Sequence, residues 1–196
     1  DPLENWVFDT FLLNGELDII ENENRPKVLQ RIEKVTLFEN PQLLNSIFAL
    51  LVNAHYQTTP NDLILLLGDE TIHLYTMMQG EHCIGCVLTI EEGGLEGELA
   101  EQILLGKRRP KGELVASLLT NQLGLKQAAT EQSLRVMRIA VHPELQGQGL
   151  GSTMLTQLVR DTSYDFYSTS FGATEELVNF WCSNGFKPLK LGSQRD

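Results

Sequence analysis

Between residues 41 and 106 the chain carries nine acidic side chains and no lysine or arginine. Such a stretch excludes a phosphate backbone as its partner, because polyanions are held by basic faces. Residues 1–40 hold nine acids and four bases, whereas residues 107–196 hold eleven bases and eight acids. With a net charge of −11 overall, the chain can receive a polyanion only on its second half. A self-sufficient RNA-binding module is not expected from this balance.

Long apolar runs are absent too: none approaches the ~18–20 residues that span a bilayer. No basic n-region precedes an apolar core, so no signal peptide is read. The chain opens on Asp1 and stops at Asp196 without a terminating pattern, and is expected to be an excerpt of a longer protein. Cysteines number only three, which points to a reducing, cytoplasmic setting rather than a disulfide framework. Cys83 and Cys86, in "HCIGCVLTI", have the spacing of half a zinc site, but no second pair completes it. The surrounding pattern is a strand, in which residues three apart face opposite sides. Two buried thiols are the expectation.

What is present reads as alternating helices and strands. Residues 3–13 form a short amphipathic piece, residues 21–26 an acidic loop, and residues 34–38 (KVTLF) an expected strand. Apolar residues at 43, 44, 47, 48, 51 and 52 give a helical face, and Pro60, after Thr59 as a cap candidate with Asn61, opens another helix. "IHLYTMM" and "CIGCVLTI" read as a hairpin. Residues 93–133 interrupt with two helices around "KRRPK", residues 107–111. A strand over 134–142, a helix from 150 to 159, a strand over 165–171, a helix capped by Thr174 and stopped at Gly185, and a final strand in "FKPLKL" follow. The order implies one mixed α/β layer structure.

The densest signal is "VMRIAVHPELQGQGLGSTML", residues 136–155. An alternating strand stops at His142-Pro143, passes three glycines and restarts as a helix. Helix N-termini present unpaired N–H groups and a positive dipole end, and glycines let a phosphate touch the backbone. A P-loop would need a lysine before Ser152 or Thr153; a dinucleotide fingerprint would need glycine at 152 or 154. Neither fits. Gln-x-x-Gly-x-Gly, read on Gln146, Gly149 and Gly151, resembles the acyl-CoA signature of the Gcn5-related N-acetyltransferases (GNAT), and "VNFWCSNGF" resembles their second motif.

Five segments, "NAHYQTTPNDL", "EEGGL", "GKRRPKGELVASLL", "MRIAVHPELQGQGLGS" and "SFGATEELVNFW", together resemble the acetyltransferase segment of the bacterial tRNA(Met) cytidine acetyltransferases over residues 40–196. The resemblance implies a mixed, mostly antiparallel central sheet flanked by helices, with a helical insert between central strands. It implies a division into residues 1–38, the tail of a helicase-like module or a linker, and residues 39–196, an acetyltransferase domain truncated before its last strand. It further implies acetyl transfer from acetyl-CoA to the exocyclic amine of the wobble cytidine in elongator methionine tRNA. In such proteins a helicase-like module supplies ATP or GTP chemistry and a C-terminal region helps to hold the tRNA. No Walker sequence occurs in this chain, and no membrane partner is expected.

Carried over by position, the acetyl-CoA contacts are Ile139, Ala140 and Val141 with Gln146, Gly147, Gln148, Gly149, Leu150, Gly151 and Ser152. Glu176 is a further contact or simply a first-turn acid favoured by the helix dipole; Ser183 or Asn184 is another. An amine attacking a thioester needs positioning and a donor for the developing oxyanion, for which the N–H of Val141 or Ala140 is the candidate. His142 is the candidate base, ahead of Glu92 and His55. Trp181 stands where many relatives place an acidic tyrosine, and indole N–H is not a usable acid; Tyr164 and Tyr167 are the available hydroxyls. Lys107, Arg108, Arg109 and Lys111 are candidates for RNA phosphate, with the CoA 3′-phosphate as a rival target. A protein or small-amine acetyltransferase, and a non-catalytic acyl-CoA-sensing module, are the competing functions.

Overall fold

The computed structural model describes residue 17, residues 27–54 and residues 60–191. Its frame is one five-stranded sheet in sequence order: β1 (Leu29–Ile32), β2 (Ile72–Gln79), β3 (His82–Gly93), β4 (Gln132–Val141) and β5 (Phe166–Thr169). Every neighbouring pair is antiparallel except β4–β5. The helices are α1 (Lys34–Glu39), α2 (Pro41–Ala54), α3 (Pro60–Gly68), α4 (Gly97–Leu104), α5 (Leu114–Leu123), α6 (Gln127–Thr130), α7 (Leu150–Asp161) and α8 (Glu175–Ser183). The expected mixed sheet with a helical insert between central strands is observed; α4, α5 and α6 are that insert.

Apolar side chains are buried on both faces of the sheet, so β2 and β3 are buried along nearly their whole length. On one face Leu44, Ile47, Phe48 and Leu51 of α2 pack on Leu74, Cys86, Leu88 and Ala140. On the other, Met154, Leu155 and Leu158 of α7 and Trp181 of α8 pack on Val87, Leu134 and Val136. A fully buried side chain of this size contributes about 1.5–3 kcal/mol. These two layers fix where α7 begins relative to the end of β4.

Four local expectations are corrected. Residues 34–38 are helical, not a strand: one turn buries Leu37 completely while Val35 and Phe38 stay exposed. That burial outweighs the small helix penalty of Val, Thr and Phe. Leu29–Ile32, within the stretch assigned to a tail or linker, is hydrogen-bonded into the sheet as its edge strand. Cys83 and Cys86 share one face rather than two, because the β2–β3 register slips between Met77 and Met78 and leaves Ile84 as the extra residue of a bulge. Both thiols are buried, and burial, then the neighbouring Cys83, pushes the Cys86 thiol up. Finally, residues 186–191 form no strand: Pro188 lacks the donor a ladder needs, and Leu189 and Leu191 are exposed. The amphipathic piece at 3–13, the acidic loop at 21–26 and Thr59 lie outside the described residues, and nothing is described of the Asn61 side chain.

Candidate active site

β4 and β5 pair from Ser133–Phe166 to Val136–Thr169 and no further. β4 runs on to Val141 after β5 has ended, so a gap opens between the two strands at this end of the sheet. The ladder on the other side decides which backbone groups face it. His142 N donates to Ile84 O at 2.9 Å while Gly85 lies opposite Val141. Gly85 and Val141 are thus a pair that shares no hydrogen bonds, and the N–H and C=O of Val141 point away from β3. Ala140, opposite Cys86, belongs to the alternate kind of pair and directs its N–H into β3. Of the two amides considered as oxyanion donors, Val141 faces the gap and Ala140 does not.

A single 3-10 turn, Pro143–Leu145, carries the chain from β4 to the glycine loop. Gln146 Nε2 donates to Val141 O at 3.1 Å and Gln148 Nε2 to Glu144 O at 3.2 Å, so both side chains brace the loop. Gly147 and Gly149 take φ of +73° and +78°, where L side chains are strained, and nothing lies within 4 Å of a Cβ built on either. Gly149 caps α7 without a side-chain bond, and the first intrahelical bond runs from Thr153 N to Gly149 O. The N–H groups of residues 150–152 precede that ladder and are open to an anion at the positive end of the helix. Gly151 has a different reason: a Cβ there would meet the Phe180 ring at 3.1 Å, so its absence lets α8 close against α7. Two of the three glycines leave bare backbone, and the third serves helix packing.

His142 is 3 % exposed. Its Nδ1 accepts from Glu144 N at 3.4 Å, and its Nε2 is buried with no hydrogen-bond partner. The lower-ranked bases fare differently. Glu92 is buried with both carboxylate oxygens engaged: Oε2 accepts from Val115 N at 2.7 Å and Ala116 N at 3.0 Å, and Oε1 pairs with Arg135. It tethers the insert to the sheet and has no free oxygen for a proton. His55 lies outside the described residues.

The candidate acids are remote or enclosed. Trp181 is buried among Phe171, Phe180 and Phe186. Tyr167 pairs opposite Leu134, seven residues or roughly 20 Å along β4 from Val141, and its hydroxyl bonds Thr162 Oγ1 at 2.8 Å. Tyr164 donates to Glu91 Oε1 at 2.7 Å, and burial, then the Glu91 bond and charge, push its phenol up. Glu176 is an exposed first-turn acid of α8, and Ser183 donates to Phe180 O at 2.9 Å.

A bare-backbone loop at a helix start thus lies beside a strand end with an outward N–H. The sequence model of the family GNAT acetyltransferase 2 matches residues 46–164. The chain belongs to the GNAT acetyltransferase 2 family. Along its whole length it is 48% identical over 198 residues to the tRNA(Met) cytidine acetyltransferase TmcA of Vibrio cholerae serotype O1, covering 28% of that protein. A TmcA of Haloarcula marismortui is 31% identical over 202 residues, again along the whole chain and 26% of the relative. The chain thus spans about a quarter of the length of the curated relatives it matches. Among solved structures, an aminoglycoside N-acetyltransferase AAC(6')-Iy in complex with CoA superposes with a TM-score of 0.53 at 9% identity, covering 89% of this chain and 99% of the other. A ribosomal-protein-alanine N-acetyltransferase from Brucella melitensis biovar Abortus 2308 gives 0.51 at 11% identity, covering 87% and 98%. These two show the shared GNAT fold.

Within this GNAT acetyltransferase 2 chain the basic loop sits far from the glycine loop. Lys107, Arg108, Arg109 and Lys111 are exposed between α4 and α5, at the end of the sheet where β3 stops and β4 starts. Nine residue steps along β4, roughly 30 Å, separate that end from Val141. Lys107, Arg108 and Arg109 line a groove together with Glu96 and Glu98, and Lys111 lies near enough to Asp69 to help hold its carboxyl low, behind the Thr71 hydrogen bonds and Lys34. The contact of Phe180 with Gly151 joins two helices distant in sequence, and neither segment alone signals it.

Proposed function

We propose that this chain is the acetyltransferase part of a longer enzyme that acetylates the exocyclic amine of the wobble cytidine in elongator tRNA(Met). The observation that carries the reading is the outward Val141 N–H beside the open amides of α7. Similarity to TmcA proteins along the whole chain supports the choice of RNA acceptor. Acetyl-CoA fits the residues present, because bare glycine backbone at a helix start suits a diphosphate and the gap beyond β5 suits an extended acyl arm. When bound, it supplies an activated thioester.

The chain's own residues then have separable tasks. The amides at residues 150–152, with Gly147 and Gly149, hold phosphate. Val141 N–H donates to the oxygen on which negative charge develops, a placement whose loss in other enzymes costs ~10²–10³-fold in turnover. His142 takes a proton from the cytosine amine, whose lone pair is delocalised into the ring and which needs a base at or after attack. Arg108 and Arg109 contact RNA phosphate at a distance from the reacting base. A helicase-like module elsewhere in the parent chain supplies the ATP chemistry.

The deciding experiment offers total tRNA and total cell protein together to the full-length parent protein, with radiolabelled acetyl-CoA and ATP. Nuclease-sensitive label recovered as acetylcytidine is expected; label in protein alone would overturn the acceptor and leave the cofactor reading intact. Two variants in that protein test the parts. Gly149→Ala is expected to weaken acetyl-CoA binding about tenfold or more while costing only ~1–2 kcal/mol of stability for the left-handed backbone. Gly151→Ala is expected to cost stability through Phe180 instead, and calorimetric titration beside thermal melting separates the two. Replacing Arg108 and Arg109 by alanine is expected to lower the slope of log affinity for tRNA against log salt by about one per lost phosphate contact. An unchanged slope would remove both from the interface.

A further inference from the structure

We infer that Phe171 is a stacking platform for the acceptor base, an inference that rests on the proposed RNA acetylation. β5 separates from β4 after Thr169, and Phe171 follows two residues later, on the β5 side of the gap. Phe171 is 39 % exposed in a segment, residues 170–177, that is exposed throughout. An aromatic ring left open in a loop is normally loose. This one is fixed from behind: it stacks on Trp181 with centroids 6.0 Å apart and planes at 24°.

Trp181 is itself immobilised. It is 5 % exposed and meets Phe180 at 5.3 Å and Phe186 at 4.8 Å, both edge-on. Phe180 in turn lies against Gly151 at the start of α7. A rigid line of rings therefore runs from the phosphate-binding helix to the mouth of the gap and ends in one exposed aromatic surface. The chemistry such a surface takes is a planar heteroaromatic ring, since base–aromatic stacking needs no hydrogen-bond code and is set by the π-face alone. A base destined for the Val141 end of β4 has to be taken out of its own stack, and a stacking surface at the mouth offsets part of that loss. This also accounts for Trp181 in place of an acidic tyrosine: here that position backs a platform and carries no proton.

The test uses the full-length parent protein with tRNA and acetyl-CoA. Phe171→Leu, which keeps apolar bulk and loses the ring, is expected to lower kcat/KM for tRNA about tenfold or more. The KM for acetyl-CoA and the melting temperature are expected to stay unchanged, and Phe171→Tyr to restore activity. A rise confined to the acetyl-CoA KM would overturn the inference and assign the ring to the adenine of the cofactor. A fall in melting temperature that accounts for the whole loss, with no rescue by tyrosine, would reduce Phe171 to packing. Undiminished tRNA acetylation by Phe171→Leu would overturn the platform alone, whereas no tRNA acetylation by the wild-type protein would overturn the underlying reading.

Discussion

Replacing His142 by glutamine in the full-length parent protein is expected to lower turnover about 10²- to 10⁴-fold, the range in which positioned general bases contribute, with acetyl-CoA affinity retained. The choice of glutamine follows from the ring's surroundings. The amide nitrogen of glutamine reaches where Nε2 lies and keeps a donor there, but it cannot take a proton. In the resting ring Nδ1 accepts from Glu144 N–H, which leaves the ring proton on Nε2. Accepting a proton at Nε2 needs the other tautomer, and giving up a 3.4 Å contact, near the outer limit of a hydrogen bond, costs little. A buried nitrogen without a partner is expensive to keep unless something is to meet it. Single-turnover rates with saturating tRNA make the measurement. If glutamine keeps activity within a few-fold of the wild type, His142 is a donor and the base lies elsewhere. If His142→Asn, which restores the acceptor for Glu144 N–H, is as inactive as glutamine, the proton-accepting role is isolated from loop geometry.

The glycine loop was legible in the sequence because its requirement is local. A strand, a proline, glycines and a helix start are each encoded within a few residues, and nothing lies within 4 Å of a Cβ built on Gly147 or Gly149, which leaves the bare backbone that reading expects. The third glycine was not legible, because its reason sits in Phe180, twenty-nine residues away. Val141 against Ala140 could not be decided from one strand either. Their N–H directions depend on the register with β3, and that register shifts between Leu88 and Thr89. The alternation in residues 34–38 misled for the opposite reason: a period of two is present, but a single long-range burial, Leu37 in the α2 layer, outweighed it. Local signals placed the elements, and contacts between distant segments decided which face each group turned to.

Glu92 illustrates the same point and carries the largest stability effect. As a candidate base it had the right residue type near a strand end, yet the insert closes over it. Its side chain is fully buried; Val115 and Ala116 give it two first-turn amides of α5, and Arg135, 12 % exposed, gives it a counter-charge. Glu113 returns the contact, accepting from Gly93 N at 2.7 Å, and Ser133 Oγ donates to Glu92 O at 3.1 Å. The insert is thereby fixed to β3 and β4 at the end of the sheet roughly 30 Å from the glycine loop. Glu92→Ala leaves a buried guanidinium without its partner and strips a helix start of its acceptor. The expected loss is about 3–5 kcal/mol, a large share of the ~5–15 kcal/mol that holds a domain folded. Urea unfolding measures it, and faster hydrogen exchange at Val115 and Ala116 localises it. Pairing Glu92→Leu with Arg135→Met is expected to recover much of the loss, because two apolar side chains of similar volume leave no charge stranded. A loss below about 1 kcal/mol for the alanine variant would mean that water reaches Arg135 and that the pair does not hold the insert in place.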